Sequence, residues 1–181
     1  LLTSDPIPPT SRLPFSKEEV KRVWEHHSDP WVDTVLILLY SGWRISELLN
    51  LKPEDIDLQA GTMKGGTKTK AGKDRVVPIH SKIRTLIEAR LSESGPRLIS
   101  YNGKPCSISQ YRIFWADIMK ALEMNHTPHE CRHTFETQLD SAGANRKCID
   151  LLMGHVSKDT GNRVYNHKTL DELKAAVELI Q

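Results

Sequence analysis

The sequence Thr127-Pro128-His129-Glu130-Cys131-Arg132-His133 contains a helix start and two cationic side chains in one short stretch. Proline is favoured at the first position of a helix, where its missing N–H costs nothing, and Thr127 is suited to cap that helix. In a helix that begins there, His129 and Arg132 lie one turn apart on the same face. Downstream come Leu152-Met153-Gly154-His155 and, ten residues later, Tyr165. This pattern predicts a cationic cluster near a phenol, a combination suited to phosphate chemistry without a metal.

Length and composition indicate one globular domain. The chain has 181 residues, of which 38% are hydrophobic and 27% charged, and these values are ordinary for a globular protein. No apolar run approaches the length of a membrane span, so no membrane partner is expected. The three cysteines are widely spaced and form no CxxC pair. This spacing argues against a disulfide framework or a structural zinc site and fits a reducing, cytoplasmic setting.

The basic residues are concentrated in one part of the chain. Residues 61–90 contain eight lysines and arginines against two acidic residues, although the net charge of the whole chain is only +2. A local basic patch is typical of a nucleic-acid face, and a solvated surface is the alternative. The basic residues of this segment are Lys64, Lys68, Lys70, Lys73, Arg75, Lys82, Arg84 and Arg90.

The order of elements predicts a mainly α fold with a small three-stranded antiparallel sheet, an α+β class. Residues 1–14 contain four prolines and begin with leucine, which predicts an interdomain linker in a fragment of a longer protein. Helical periodicity and capping signals recur from residue 16 to residue 51 and again after residue 81. Between them, alternating segments separated by glycines predict the strands. Lys70 falls at the tip of the last hairpin.

The C-terminal segment 169–181 has apolar residues at helical spacing. Such a helix can pack against its own domain or dock on a neighbouring protomer. Arg44 also has two interpretations. It can meet an anion at a helix N-terminus, or it can form a salt bridge with Glu47.

Taken together, the motifs resemble the catalytic domain of tyrosine recombinases of the phage and conjugative-transposon integrase family. The family pattern is an arginine in G-x-R-x-x-E-L, a lysine in a β-hairpin, then H-x-x-R, L-x-G-H and a tyrosine. The matching segments are residues 42–48, Lys70, residues 129–132, residues 152–155 and Tyr165. The resemblance covers residue 15 onward and implies a catalytic domain at 15–168 with the DNA breaking-rejoining fold. Trp43 is bulkier than the usual aliphatic residue.

The resemblance implies attack of Tyr165 on a DNA phosphodiester, which leaves a 3′-phosphotyrosyl bond and a free 5′-hydroxyl. A second 5′-hydroxyl then reverses the step, so that neither ATP nor another cofactor nor a metal is needed. Arg44 and Arg132 would offer planar forks of hydrogen-bond donors to the phosphate oxygens.

Three further residues acquire implied roles in moving protons and binding the phosphate. His129 would accept or guide the proton of the tyrosine, whose ordinary pKa is about 10. Lys70 would protonate the leaving 5′-oxygen. His155 would hydrogen-bond a phosphate oxygen.

The implied partner is double-stranded DNA, bound by a homotetramer on paired sites with accessory DNA-bending or directionality proteins, in a bacterial, nucleoid-associated setting. The tail helix 169–181 would be exchanged between protomers. The residues expected to contact DNA outside the catalytic set are Lys64, Lys68, Lys73 and Arg75.

Three alternative functions are compatible with some of these residues. His129 to His133 also matches H-E-x-x-H, the signature of zinc metalloproteases. The extended form of that signature fails, because Glu136 and Leu139 stand where a glycine and a third histidine would be needed. The second alternative is a catalytically silent DNA-binding module, which the completeness of the catalytic set argues against. A type IB topoisomerase would share the tyrosine chemistry.

Overall fold

Residues 13–66, 72–155 and 167–181 are described in a computed structural model of the chain. Within these ranges the chain forms eight α-helices and five short strands. The helices are α1 (Lys17–Glu25), α2 (Val32–Ser41), α3 (Ile45–Asn50), α4 (Arg84–Ser92), α5 (Ile108–Ala121), α6 (Pro128–Ser141), α7 (Arg146–Met153) and α8 (His167–Val177). The strands are β1 (Ile56–Asp57), β2 (Thr62–Gly65), β3 (Arg75–Pro78), β4 (Ser100–Tyr101) and β5 (Lys104–Pro105).

Helix α2 forms the centre of the core and is buried on nearly every side. It packs along α6, the helix that contains the H-x-x-R motif. Val35, Leu36 and Ile37 have no exposed surface, and each such side chain contributes about 1.5–3 kcal/mol of hydrophobic stabilisation. The central position of α2 fixes α6 in the interior. None of the helices in the described ranges is both long and apolar enough to cross a lipid bilayer.

The predicted sheet is confirmed. Its order is β1-β2-β3, both pairs are antiparallel, and Met63 of β2 lies opposite Ile56 on one side and Val77 on the other. Met63 and Val77 are fully buried, which means that one face of the sheet packs on the helices. Strands β4 and β5 form a separate two-stranded hairpin around a turn at Asn102 and Gly103.

Local signals set most helix starts. Ser16 and Glu19 form the predicted capping box, and Ser107 and Asn145 cap α5 and α7. The serine at position 81, which precedes apolar residues at helical spacing, predicts a helix cap, and this prediction is wrong. Residues Ser81–Ile83 form a short 3₁₀ turn, and His80 accepts the Lys82 N–H before α4 begins.

The C-terminal segment lies on its own domain in this single chain. Leu173, Val177 and Ile180 are buried, and α8 packs against α7 and β3. Two further hydrogen bonds hold the end of the chain. The imidazole Nε2 of His80 donates to the Ile180 carbonyl at 2.8 Å, and the Tyr40 hydroxyl donates to the Gln181 carbonyl at 3.3 Å. Docking of the tail on a second protomer stays a prediction.

Candidate active site

Helix α6 presents His129 to solvent and Arg132 to the interior. Pro128 occupies the first turn, and the Glu130 carboxylate accepts the Thr127 N–H at 2.9 Å. His129 is exposed, whereas Arg132 is only 3% exposed. The two residues are one helical turn apart, with His129 at the surface and Arg132 in the interior.

Arg132 is held by main-chain carbonyls from two distant loops. One guanidinium nitrogen donates to the Gly42 carbonyl at 2.7 Å and the other to the Met153 carbonyl. Gly42 ends α2 and precedes the arginine of the first motif, whereas Met153 ends α7 and precedes the Gly-His of the fourth. A single buried side chain therefore joins three motifs that are scattered along the sequence.

Arg44 lies just before α3, at the helix N-terminus. Its N–H donates to the Glu47 carboxylate at 3.0 Å, and its guanidinium donates to the same carboxylate at 3.2 Å. The salt bridge considered from the sequence is present. The Arg44 side chain nevertheless remains 20% exposed, so the guanidinium is accessible to an anion in solvent.

Arg75 does not lie on the DNA-facing surface that the sequence predicted. It is 1% exposed, and it forms a two-pronged ion pair with Glu47 at 2.9 and 2.8 Å. Its guanidinium stacks on the indole of Trp43 at 4.2 Å. The prediction of a DNA contact is therefore corrected to an interior role. Strand alternation contains the signal for this, because Arg75 and the fully buried Val77 are two residues apart in β3 and face the same side.

The charges of the site change the pKa values of its members. Burial raises the pKa of Glu47. The hydrogen bonds and charge of Arg75, followed by those of Arg44, lower this pKa by a larger amount, so the net shift is downward. Burial lowers the pKa of Arg132 to about 10, and the positive charges of Arg44 and Arg75 act in the same direction. Arg132 stays charged at neutral pH. An anion that binds between these guanidinium groups would relieve their mutual repulsion.

His155 follows the turn that ends α7. Gly154 has a left-handed backbone (φ +66), and the His155 N–H donates to the Asp150 carbonyl at 2.9 Å. A Cβ on Gly154 would lie 2.8 Å from the Gly72 Cα and 3.3 Å from the Arg75 Cδ. Since Gly72 belongs to the end of the β2–β3 connection, glycine at 154 allows the turn before the exposed His155 to lie directly against that hairpin.

The remaining predicted site residues are four lysines and one tyrosine. Lys64 and Lys73 are exposed. Lys68, Lys70 and Tyr165 lie outside the described residues.

The sequence comparison decides the family. The model of the phage integrase family matches residues 15–172. The chain belongs to the phage integrase family. The family assignment made from the motifs is thus confirmed, together with its mainly helical fold.

Relatives in this family are tyrosine recombinases. The tyrosine recombinase XerA of Pyrococcus furiosus is 32% identical over 189 residues, which cover 98% of this chain and 65% of the relative. A crystal structure of XerA recombinase has a TM-score of 0.71 at 26% identity and covers 93% of this chain and 66% of that one. The chain thus spans slightly less than two thirds of these relatives.

A second structure supports the fold. The Tn1549 transposon integrase in complex with circular intermediate DNA has a TM-score of 0.71 at 22% identity, covering 91% of this chain and 62% of that chain. At this level of identity the likeness establishes the fold of this integrase-family chain.

The H-E-x-x-H interpretation conflicts with the position of its glutamate. Glu130 is 5% exposed, and its carboxylate is engaged by the Thr127 N–H and by the His126 imidazole at 2.8 Å. A metalloprotease base must instead face a metal-bound water. Across residues 13–66, 72–155 and 167–181, no group of three His, Cys, Asp or Glu side chains has an arrangement that could hold a metal ion.

A histidine that sequence reasoning missed lies behind the site. The His126 ring stacks on Phe15 at 3.9 Å, and its two nitrogens contact the carboxylates of Glu130 and Glu19 at 2.8 and 3.0 Å. Each carboxylate also closes a capping interaction at the start of its own helix. The sequence signal for this arrangement is partial. The capping glutamates can be recognised from the sequence, but the contact of both with His126 cannot.

Proposed function

We propose that this chain is the catalytic domain of a site-specific DNA recombinase, an integrase or transposase of a mobile element, which cleaves and rejoins DNA through a 3′-phosphotyrosyl intermediate. The observation that carries the proposal is the meeting of three motifs at Arg132. Its guanidinium is fixed by carbonyls beside the first and fourth motifs, and the charge of Arg44 acts on it. Such an arrangement suits a dispersed anionic centre such as a phosphodiester.

The two arginines have complementary tasks in this mechanism. Arg132 is buried and preorganised, whereas Arg44 is partly exposed at a helix N-terminus. Negative charge on the non-bridging oxygens grows in the transition state, and donors already oriented toward it need no reorganisation. Loss of one such donor typically costs ~10²–10³ in rate.

Proton transfer is assigned to the residues around this anion site. His129 is exposed and is proposed to accept or guide the proton of Tyr165 as the phenol attacks phosphorus. Lys70 is proposed to protonate the departing 5′-oxygen, and His155 to donate to a phosphate oxygen. The close approach of Gly154 to the hairpin end at Gly72 supports a shared site for the last two groups.

Double-stranded DNA is the proposed substrate, with a homotetramer on paired sites as the working assembly. Among proteins of this fold, the Tn1549 integrase has been seen with circular intermediate DNA, and a lambda integrase tetramer with a Holliday junction. The exposed Lys64 and Lys73, together with Lys68, are proposed to contact backbone phosphates, which contribute affinity more than sequence preference.

Covalent capture on nicked DNA tests the proposed reaction. A pool of nicked duplexes of randomised sequence is incubated with the protein, and denaturing electrophoresis reveals a protein–DNA adduct, because loss of the short cleaved strand traps the intermediate. Tyr165→Phe is expected to bind the pool in a mobility-shift assay and to form no adduct. Tyr101→Phe is the matched control at an exposed tyrosine and should form the adduct normally. An adduct that persists in Tyr165→Phe would contradict the assignment of the nucleophile.

The tail 169–181 is proposed to move to a neighbouring protomer when the tetramer assembles on DNA. Mixing light and isotope-labelled chains before chemical crosslinking tests this. Crosslinks from Lys174 that join light to heavy chains support exchange, and purely intrachain crosslinks in the DNA-bound assembly contradict it.

A further inference from the structure

The Glu47 carboxylate is shared by two arginines of unequal burial. Arg75 and Glu47 each have 1% of their side chain exposed, whereas Arg44 has 20%. Arg75 donates from both terminal nitrogens at 2.9 and 2.8 Å, and the Arg44 guanidinium donates once at 3.2 Å. Arg75 is therefore the stronger and more enclosed partner of this carboxylate.

A buried carboxylate needs a counter-ion at every step of a reaction. If Arg44 were the sole partner of Glu47, a turn of its guanidinium toward a phosphate would leave an unpaired charge in the interior, which is strongly unfavourable. With Arg75 in place, the carboxylate remains paired whichever way Arg44 points. The Arg44 N–H also remains bonded to Glu47, so the backbone position of Arg44 is retained while its guanidinium turns.

Arg75 is itself held in one position from several sides. Its guanidinium stacks on Trp43 at 4.2 Å, and Trp43 is the residue between Gly42 and Arg44 in the chain. A Cβ on Gly154 would lie 3.3 Å from the Arg75 Cδ, so the turn before His155 packs against its stem. Arg75 therefore has no room to follow a phosphate into the site, and it retains its pairing with Glu47.

We propose that Arg75 is a positioning residue, the permanent counter-ion of Glu47 that leaves the guanidinium of Arg44 available for the scissile phosphate. This inference rests on the proposed recombinase function. It predicts that Arg75 acts on the chemical step through Arg44 and contributes little to DNA affinity, in contrast to surface lysines such as Lys64 and Lys73.

A charge-removal rescue tests the inference. Arg75→Met keeps the bulk of the stem and leaves Arg44 as the counter-ion that pairs with Glu47 among the described residues. Single-turnover adduct formation on nicked DNA should fall about 10²-fold, the typical effect of losing one transition-state donor. The double variant Arg75→Met/Glu47→Gln removes the charge that holds Arg44, and its rate should recover at least about tenfold over the single variant. A purely structural role for Arg75 gives no recovery, since the second change removes further contacts.

Arg75→Lys provides a second comparison, because it keeps the positive charge and loses the planar fork. It should cleave DNA faster than Arg75→Met and stay folded by circular dichroism. If Arg75→Lys is as slow as Arg75→Met, or if the double variant is as slow as the single variant, the counter-ion role is overturned.

A readout without chemistry separates this inference from the proposed function. In a Tyr165→Phe background, the side-chain ¹⁵N–¹H signals of Arg44 are followed by NMR as nicked DNA is added. They should shift with Arg75 present and stay unchanged in Arg75→Met, while the dissociation constant for DNA changes by less than about threefold. A wild-type protein that forms no adduct refutes the proposed function. Equal shifts of the Arg44 signals with and without Arg75 refute the inference.

Discussion

Replacement of Gly42 by alanine tests whether the carbonyl that holds Arg132 depends on a glycine. Gly42 ends α2 with φ +67, a left-handed conformation that side chains disfavour. A Cβ there would lie 2.8 Å from Cε1 and 3.0 Å from Cγ of Phe135, a fully buried ring on α6. The same residue supplies the carbonyl that accepts from Arg132 at 2.7 Å. A backbone shift at residue 42 that relieves the clash therefore moves a hydrogen-bond partner of Arg132.

The expected cost has two parts. The left-handed conformation costs a non-glycine residue about 1–2 kcal/mol, and overpacking a core that cannot yield costs about 1–3 kcal/mol. Gly42→Ala should thus lower the free energy of unfolding by roughly 2–5 kcal/mol, a large share of the ~5–15 kcal/mol that is typical of a domain. Gly61→Ala is the matched control, because Gly61 has φ +68 and a Cβ there would meet nothing within 4 Å. It should lose only the conformational part.

Urea unfolding followed by circular dichroism measures both variants, and covalent adduct formation on nicked DNA measures the site. Gly42→Ala should be less stable than Gly61→Ala by about 1–3 kcal/mol. It should also cleave more slowly under conditions in which both variants are folded. Equal stability of the two variants would show that the Phe135 ring yields at no cost. Normal cleavage by a destabilised Gly42→Ala would show that the Gly42 carbonyl does not set the position of Arg132.

Two further predictions concern proton equilibria. Burial lowers the pKa of His80 from its ordinary value of 6.5. The Ile180 carbonyl and Glu178 raise this pKa and Lys82 lowers it, and the net shift is downward. The unfolded chain therefore binds more protons below about pH 6.5, and wild-type stability should fall there, by at most about 1.4 kcal/mol per pH unit from this group. His80→Gln, which retains an amide donor for the Ile180 carbonyl, should have a shallower dependence of the urea midpoint on pH, and identical slopes would contradict the prediction. Lys70→Ala should slow cleavage by ~10²–10⁴, and a 5′-bridging phosphorothioate should restore it because a leaving thiolate needs no proton; absence of rescue would argue against Lys70 as the acid.

The part of the fold that follows local rules was predictable from the sequence. Ser16 with Glu19 begins α1 as expected, and Gly154 ends α7 with a left-handed turn as a glycine there suggests. These signals depend on neighbours within four residues, so one sequence suffices to read them. Pro30 predicts a helix that begins at Trp31, whereas α2 begins at Val32 because Trp31 adopts φ 67. This is an uncommon conformation for a bulky residue, and the Trp31 ring stacks on Phe114 at 4.3 Å.

The orientation of charged groups was less predictable. A cluster of lysines and arginines between residues 61 and 90 suggested one basic surface, yet Arg75 and Arg90 are buried and paired with Glu47 and Asp33. Both pairs join residues far apart in sequence, so net charge in a window cannot reveal them. Whether an arginine contacts phosphate or forms a structural ion pair depends on whether the fold places an acidic side chain next to its guanidinium.

The first half of α6 is fixed by two sets of contacts of different chemistry, and together they orient the exposed His129 and the buried Arg132. Near the start of α6, His126 contacts the carboxylate of Glu19 on α1. Burial raises the pKa of Glu19, but the Ser16 N–H and then His126 lower this pKa by more, so the net shift is downward and the carboxylate stays charged opposite the imidazole. The buried Phe15 N–H also donates to Thr134 on α6 at 2.8 Å. One turn into the helix, Arg132 is held by the ends of α2 and α7. Rotation of α6 about its axis would break both sets of contacts at once, so these buried contacts set the direction in which His129 faces solvent.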